Sequence, residues 1–227
     1  MANENIELQD LSAEELKEKT RNVFEDNKNL IYGVIGAVIV LGLGVYWYTQ
    51  MYQKPREAAA QIELYKANQQ MNRDSFTLAL TGRTIKGQAD NFIGYVGIIE
   101  QYSGTPASNL AHYYAGAASL RLDHPEWALD YLGSFSGEEL MQAQAYSMMG
   151  DAASELENFD KALGYYQDAA GYTENVSLQC YAKYKAGKLS EHMDKKEDAI
   201  KYYQEIMDTD AQIGEGLGVD KDLLRLK

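Results

Sequence analysis

The phrase "KALGYYQ" at residues 161–167 returns as "DAIKYYQ" at 198–204, and a looser form, "EWALDYL", stands at 126–132. Aligned on Ala128, Ala162 and Ala199, the copies are 34 and 37 residues apart. Twelve residues before each alanine stands a glycine: Gly116, Gly150 and Gly187. Four residues after each stands a bulky side chain: Leu132, Tyr166 and Tyr203. Three windows, 109–142, 143–176 and 180–213, therefore share a small residue at position 8, alanine at position 20 and a bulky residue at position 24. A three-residue insertion precedes the last window. A period of this length marks stacked supersecondary units, each unable to bury its apolar face alone. Two antiparallel helices approach closely only where a side chain is nearly absent. The glycine and alanine supply that contact, and the bulky residue fills the gap toward the next unit.

The composition agrees with helices. Among 227 residues there are only 3 prolines, while Ala, Leu, Lys, Glu and Gln are plentiful. The formal charge of −13 argues against sequence-independent nucleic-acid binding, in which Lys and Arg must displace counterions from phosphates. It argues equally against a domain held flat on anionic lipid. The single cysteine, Cys180, leaves the redox compartment unread.

Residues 30–48, "LIYGVIGAVIVLGLGVYWY", run for 19 positions without a charge. As a helix this segment covers about 30 Å, the thickness of a bilayer core. Gly33, Gly36, Gly42 and Gly44 would each weaken a water-soluble helix but are ordinary in a spanning one. Tyr32 marks one end, and Tyr46, Trp47, Tyr48 and Tyr52 the other, as at membrane–water boundaries. A cleaved secretory signal needs a short basic leader and a small-x-small site. Here 29 residues with 8 acidic and 4 basic groups precede the run, and "YWYTQMY" follows it. The expectation is an uncleaved anchor in contact with the lipid bilayer through residues 30–48. Gly33 and Ala37 form a small-xxx-small pair that would support helix pairing, a pattern that also arises by chance.

Ser12 and Glu15 have the spacing of a capping box, and Leu16, Thr20, Val23 and Phe24 then share one helical face. This leader helix either lies against a membrane or partner, or simply runs into the span. Lys17, Lys19, Arg21 and Lys28 precede the span and Lys54, Arg56 and Lys66 follow it, a weak positive-inside bias. It places residues 1–29 in the cytoplasm and the large domain in a periplasm-like space.

The expected organisation is a leader (1–29), a transmembrane helix (30–52), a juxtamembrane helix with a degenerate helical pair (53–105), three repeats (106–213) and a capping segment (214–227). Pro55 suits a first helical turn. "SFTLAL" and "DNFIGYVGIIEQY" form the degenerate pair around the turn-like "TGRTIKGQ". "GEGLG" breaks the helix, and "VDKDLLRLK" forms a terminal lid.

Motifs of chemistry are not evident. His112, His124 and His192 lie in separate windows, with no metal-binding His pair four apart. His112 reads as a packing position and Cys180 as a buried, inert thiol. The "NVS" triplet at 175–177 fits a glycosylation acceptor but is a common pattern. The expectation is a non-enzyme with no cofactor, no metal and no small-molecule substrate.

The glycine–alanine–bulky spacing resembles the tetratricopeptide repeat, over about half the chain. Two departures are plain. Position 4 holds His112, Tyr146 and Lys183 instead of Trp, and Glu174 stands where a proline is expected. The resemblance implies an all-α fold: a single N-terminal transmembrane helix followed by a tetratricopeptide-type solenoid of helical hairpins. It also implies a concave groove lined by positions 2, 5, 9 and 12 of each window. Those positions are Leu110, Tyr113, Ala117 and Leu120, then Gln144, Ser147, Asp151 and Ser154, then Tyr181, Tyr184, Lys188 and Glu191. The groove would hold an apolar or extended peptide, or be filled by the C-terminal helix or by residues 55–105. The basic carboxylate clamp of some cytosolic relatives is replaced by Tyr113, Ala117, Met148 and Tyr181.

The whole layout, with "YSGTPASNLAHYYAGAASL" at 102–120, is similar to the YfgM-like ancillary subunits of the bacterial Sec translocon. That resemblance implies an inner-membrane protein, single-pass, with its large domain in the periplasm. Its partners would be Sec channel subunits, a membrane-anchored periplasmic chaperone and emerging secreted chains. The other reading is a structural scaffold of another envelope complex serving outer-membrane assembly, division or motility.

Overall fold

A computed structural model of the chain describes residues 13–83 and 91–226. They are helical throughout except for turns and one isolated antiparallel bridge between Arg83 and Phe92. The chain divides into two compact units, Met1–Pro55 and Arg56–Lys227.

In the first unit α1 runs from Ala13 to Tyr48 as a single helix of 36 residues. The leader helix thus enters the apolar run without a break. The expected cap, Ser12, lies outside the described residues, as do the side chains of Leu16 and Val23. None of the residues in the apolar part of this helix is buried, and it is long and apolar enough to cross a membrane. A π-helical segment, Thr49–Gln53, follows, in which the Lys54 N–H bonds to the Thr49 carbonyl. Its cause is Pro55, which has no N–H and whose ring collides with the carbonyl four residues earlier. Widening the turn removes that collision.

Helix α2 (Lys54–Met71) starts two residues before the boundary, and α3 (Phe76–Thr81) and α4 (Gly94–Gln101) follow in the second unit. Then come three pairs: α5 (Pro106–Arg121) with α6 (Pro125–Gly133), α7 (Glu139–Glu155) with α8 (Phe159–Tyr172), and α9 (Val176–His192) with α10 (Lys196–Thr209). Short helices α11 (Ala211–Leu217) and α12 (Val219–Leu226) finish it. From α5 to α10 each helix packs chiefly on its neighbours in sequence.

One turn recurs within the pairs. Asp123, Glu157 and Asp194 take left-handed φ values of 59°, 57° and 57°. The following N–H groups, of His124, Asn158 and Lys195, donate to the carbonyls of Ser119, Ala153 and Ser190 at 2.9 Å each. This is the Schellman closure, which satisfies carbonyls orphaned at a helix end. Asp74, at φ 54°, makes the same turn between α2 and α3, with Ser75 N–H on the Gln70 carbonyl at 3.0 Å. The element before the repeats is therefore tied to α3 by repeat-like chemistry that the sequence spacing concealed. Helices α3 and α4 pack on each other. Gly82 and Gly94, at φ 78° and 67°, bring their backbones so close that a Cβ on either would strike the other.

The core is built from small residues. Gly116 faces Leu132, Gly150 faces Tyr166 and Gly187 faces Tyr203; an added Cβ would lie within the side chain opposite in each case. Ala128, Ala162 and Ala199 are fully buried. A first cluster joins Ala60, Leu64 and Ala67 of α2 to Leu80, Tyr95, Ile98 and the alanines of α5. Tyr95, fully buried, donates its hydroxyl to Asn68 at 2.7 Å. Glu57 accepts from Ala107 N–H at the start of α5, where Thr105 caps Ser108 N–H.

At the C-terminus the break within "GEGLG" is confined to its last glycine. "GEGLG" does not break the helix at its first glycine: Gly214–Leu217 belong to α11, which Asp210 caps by accepting from Ile213 N–H. The break falls at Gly218, at φ 80°. The terminal lid is α12, with Val219 buried and Leu223 and Leu226 packed around Cys180, Tyr203 and Ile206.

Candidate functional site

The residues assigned to a groove belong to the first helix of each pair, so their positions follow from helical phase. Tyr181, Tyr184 and Lys188 fall at i, i+3 and i+7 of α9 and share a face. Against that face lie two clefts with a common wall. The first, of about 280 Å³, brings Tyr113 of α5, Ser147 and Met148 of α7, and Ala182 of α9 around Tyr181 and Lys185. The second, of about 520 Å³, places Glu155 and Phe159 opposite Tyr181, Tyr184, Lys185 and Lys188. Tyr181 and Lys185 line both. Tyr181 is 48% exposed, large for an aromatic ring in a folded stack.

The common wall is held by a small polar network. Lys185 Nζ binds both carboxylate oxygens of Asp151, at 2.8 and 2.7 Å. The Tyr166 hydroxyl donates to the same carboxylate at 2.8 Å. Lys185 also lies over the Tyr181 ring at 5.1 Å and the Tyr166 ring at 5.7 Å. Burial, followed by the Asp151 carboxylate, pushes the Tyr166 hydroxyl far above its ordinary value, which keeps it a donor. In the first cleft, Tyr113 donates to Gln144 at 2.8 Å and packs its ring at 5.2 Å from Phe135. Burial, then Tyr114, raises the Tyr113 hydroxyl as well.

The far end of the second cleft meets the terminal lid. Lys188 pairs with Asp222 at 2.8 Å, and Arg225 with Glu191 at 2.6 Å. Tyr203 donates to Glu191 at 2.6 Å. Thus α12 reaches the last two groove positions, Lys188 and Glu191, while Tyr181 and Tyr184 remain on the cleft walls.

Of the twelve residues assigned to the groove, Tyr113, Gln144, Ser147, Ser154, Tyr181, Tyr184 and Lys188 line the clefts. Asp151 stands behind the wall and fixes Lys185. Leu110 and Leu120 are partly buried against the core clusters, and Ala117 is partly buried and lines neither cleft. A glycine-tight helix pair draws these long apolar side chains inward. Lys185 was not foreseen. Its signal is the four-residue step from Tyr181, which puts it on the same face.

Outside the clefts, Cys180 is fully buried, and burial raises its thiol, as expected of an inert cysteine. His112 packs 6.3 Å from Tyr131 with a buried, unpartnered Nδ1, and burial lowers its pKa. Asn175 of the "NVS" triplet caps α9 by accepting from Leu178 N–H. No protein-family model matches the chain, and no curated protein matches it in sequence.

Proposed function

We propose that this protein is a membrane-anchored docking module whose second unit is a tetratricopeptide-type solenoid, and that it binds chains instead of transforming a substrate. Three glycine-to-bulky contacts at the predicted 34- and 37-residue spacing support the solenoid reading, together with the Schellman turn repeated in each pair. The observation that carries the functional reading is the pair of joined clefts, with Tyr181 and Lys185 in both. Aromatic side chains on a concave, partly exposed face are the residues that anchor partner chains.

In this reading residues 30–48 of α1 anchor the protein in the inner membrane, with residues 1–29 cytoplasmic and the solenoid periplasmic. The partners are Sec channel subunits, a membrane-anchored periplasmic chaperone and emerging secreted chains. Their support is the resemblance of the layout to translocon ancillary subunits. A photo-crosslinking amino acid placed at Tyr113 and Tyr184 in intact cells tests it, with Asp168 on the exposed side of α8 as control. Adducts with channel subunits or exported chains, absent from the control, are expected. Adducts confined to outer-membrane assembly, division or motility proteins would replace this reading with the envelope scaffold.

A further inference from the structure

The two clefts differ in charge, and the difference identifies a class of occupant. Asp151 is answered by Lys185, and Asp222 and Glu191 by Lys188 and Arg225. Both lysines lining the second cleft, Lys185 and Lys188, are thus already committed to carboxylates. Glu155 and Glu157, on the opposite wall, make no ion pair among the described residues and are exposed. Glu155 closes α7, where the helix dipole already presents its negative end. Burial, then Asp123 and Asp151, raises the Glu155 carboxyl above its ordinary value. The first cleft, by contrast, is lined chiefly by Tyr113, Met148, Ala182 and Leu178.

From this asymmetry we infer that the docking face takes an extended cationic–apolar segment: aliphatic side chains in the cleft at Tyr113 and Met148, and Lys or Arg at the Glu155–Glu157 rim. The inference rests on the docking reading above and adds the chemistry of the ligand. Its length follows from α9. Leu178 borders the first cleft and His192 the second. Fourteen helical steps cover about 21 Å. An extended strand at about 3.3 Å per residue spans that in six or seven residues. The aromatic faces of Tyr181 and Tyr184 already carry Lys185 and Lys188, at 5.1 and 5.4 Å. The incoming cation therefore meets carboxylates, not rings, and its attraction is screened by salt.

The test uses the full chain in phosphatidylcholine nanodiscs, with empty nanodiscs subtracted. The probe is a fluorescent heptapeptide, Leu-Ser-Leu-Ser-Lys-Ser-Lys, made in both chain directions. Saturable binding is expected in at least one direction. Replacing both lysines by glutamate should weaken it tenfold or more, and so should Glu155→Gln with Glu157→Gln. The same charge removal on α6, Glu126→Gln with Asp130→Asn, should leave it unchanged. If the double variant loses its thermal transition, Glu155→Gln alone carries the test with about a threefold loss. Equal binding of lysine and glutamate peptides, or an equal loss in the α6 control, overturns the inference. Crosslinks from Tyr113 and Tyr184 to exported chains, combined with charge-blind peptide binding, leave docking standing and this inference fallen. No crosslinks and no peptide binding overturn both.

Discussion

Glycine does opposite work in the two units. In α1, a Cβ added at Gly33, Gly36, Gly42 or Gly44 would meet nothing within 4 Å. At Gly116, Gly150 and Gly187 it would collide with a buried side chain. The apolar residues divide the same way. Leu41 and Val40 of α1 are each 69% exposed, while Leu132 and Tyr203 are 1% and 0% exposed. The second unit turns its apolar surface inward by deleting side chains at the crossings. Among the described residues of the first unit there is no such crossing, and its apolar surface stays uncovered. Lipid is the cover that fits a charge-free run of this length.

The sharpest way to break this contrast is to charge the uncovered surface. Val38→Arg with Leu41→Arg puts two guanidinium groups near the middle of the span. At about 2.5–3.5 kcal/mol each, they should prevent stable insertion. Carbonate-extracted membranes should lose the protein to the soluble or aggregated fraction. Retention of the variant in the membrane pellet would mean that α1 is covered by something other than bilayer. Next in size is truncation at the covered surface. Tyr203→Ala removes a fully buried ring and should cost about 3–5 kcal/mol. Leu41→Ala should leave the urea transition of the second unit where it was. Equal effects from the two would erase the distinction between the units.

The glycines themselves refine the comparison. In Gly187→Ala the new Cβ lies 2.5 Å from the Tyr203 ring, whose hydroxyl is tethered to Glu191 at 2.6 Å. Overpacking of this kind costs about 1–3 kcal/mol. Gly42→Ala, in open space, should change the same denaturant midpoint by less than about 0.5 kcal/mol. A neutral Gly187→Ala would show that the stack yields at its crossings, and the spacing argument would lose its physical basis.

These contrasts also explain what could be read in advance. A missing side chain every 34 or 37 residues is a packing demand written directly in the letters, so the repeat crossings were legible. So was the charge-free span. The turns were not: Asp123, Glu157 and Asp194 recur at the same two spacings, yet a left-handed conformation at a non-glycine residue has no strong letter code. Asp74 was harder still, standing outside the repeat register. Within "GEGLG" only Gly218 stops a helix, a position that glycine's helix-weakening tendency alone does not single out. Here Asp210 caps α11 first, and Met207 sits where a Gly214 side chain would be. At the clefts, helical phase found Tyr113, Ser147, Tyr181, Tyr184 and Lys188. It missed Lys185 because the position template was followed, when the i+4 neighbour of Tyr181 was equally on the face. Leu110 and Leu120 pack against the core clusters instead of lining either cleft, because close helix packing as well as phase decides where an edge residue sits.

Acid offers the smallest and most selective probe, because residues 30–48 hold no carboxylate or amine, whereas the second unit has a titrating network to lose. Burial works to raise Glu191 and Asp222, but hydrogen bonds and charges from Tyr203, Arg225 and Lys188 outweigh it and hold both below their ordinary values. A carboxyl with a folded pKa below its unfolded one stabilises the fold above the unfolded value and loses that contribution as pH falls through the folded one. For Glu191 and Asp222 the loss therefore begins below their ordinary values of 4.5 and 3.8. Glu155 has the opposite sign: its raised pKa makes the ionised form a cost at neutral pH, relieved on acidification. Glu191→Gln should flatten the fall in urea stability between about pH 5 and pH 3, and Glu155→Gln should steepen it. Each change should stay below about 1 kcal/mol, since these groups are partly solvated. Parallel acid limbs in both variants would mean that the α12 latch on Lys188 and Glu191 contributes nothing to holding the lid.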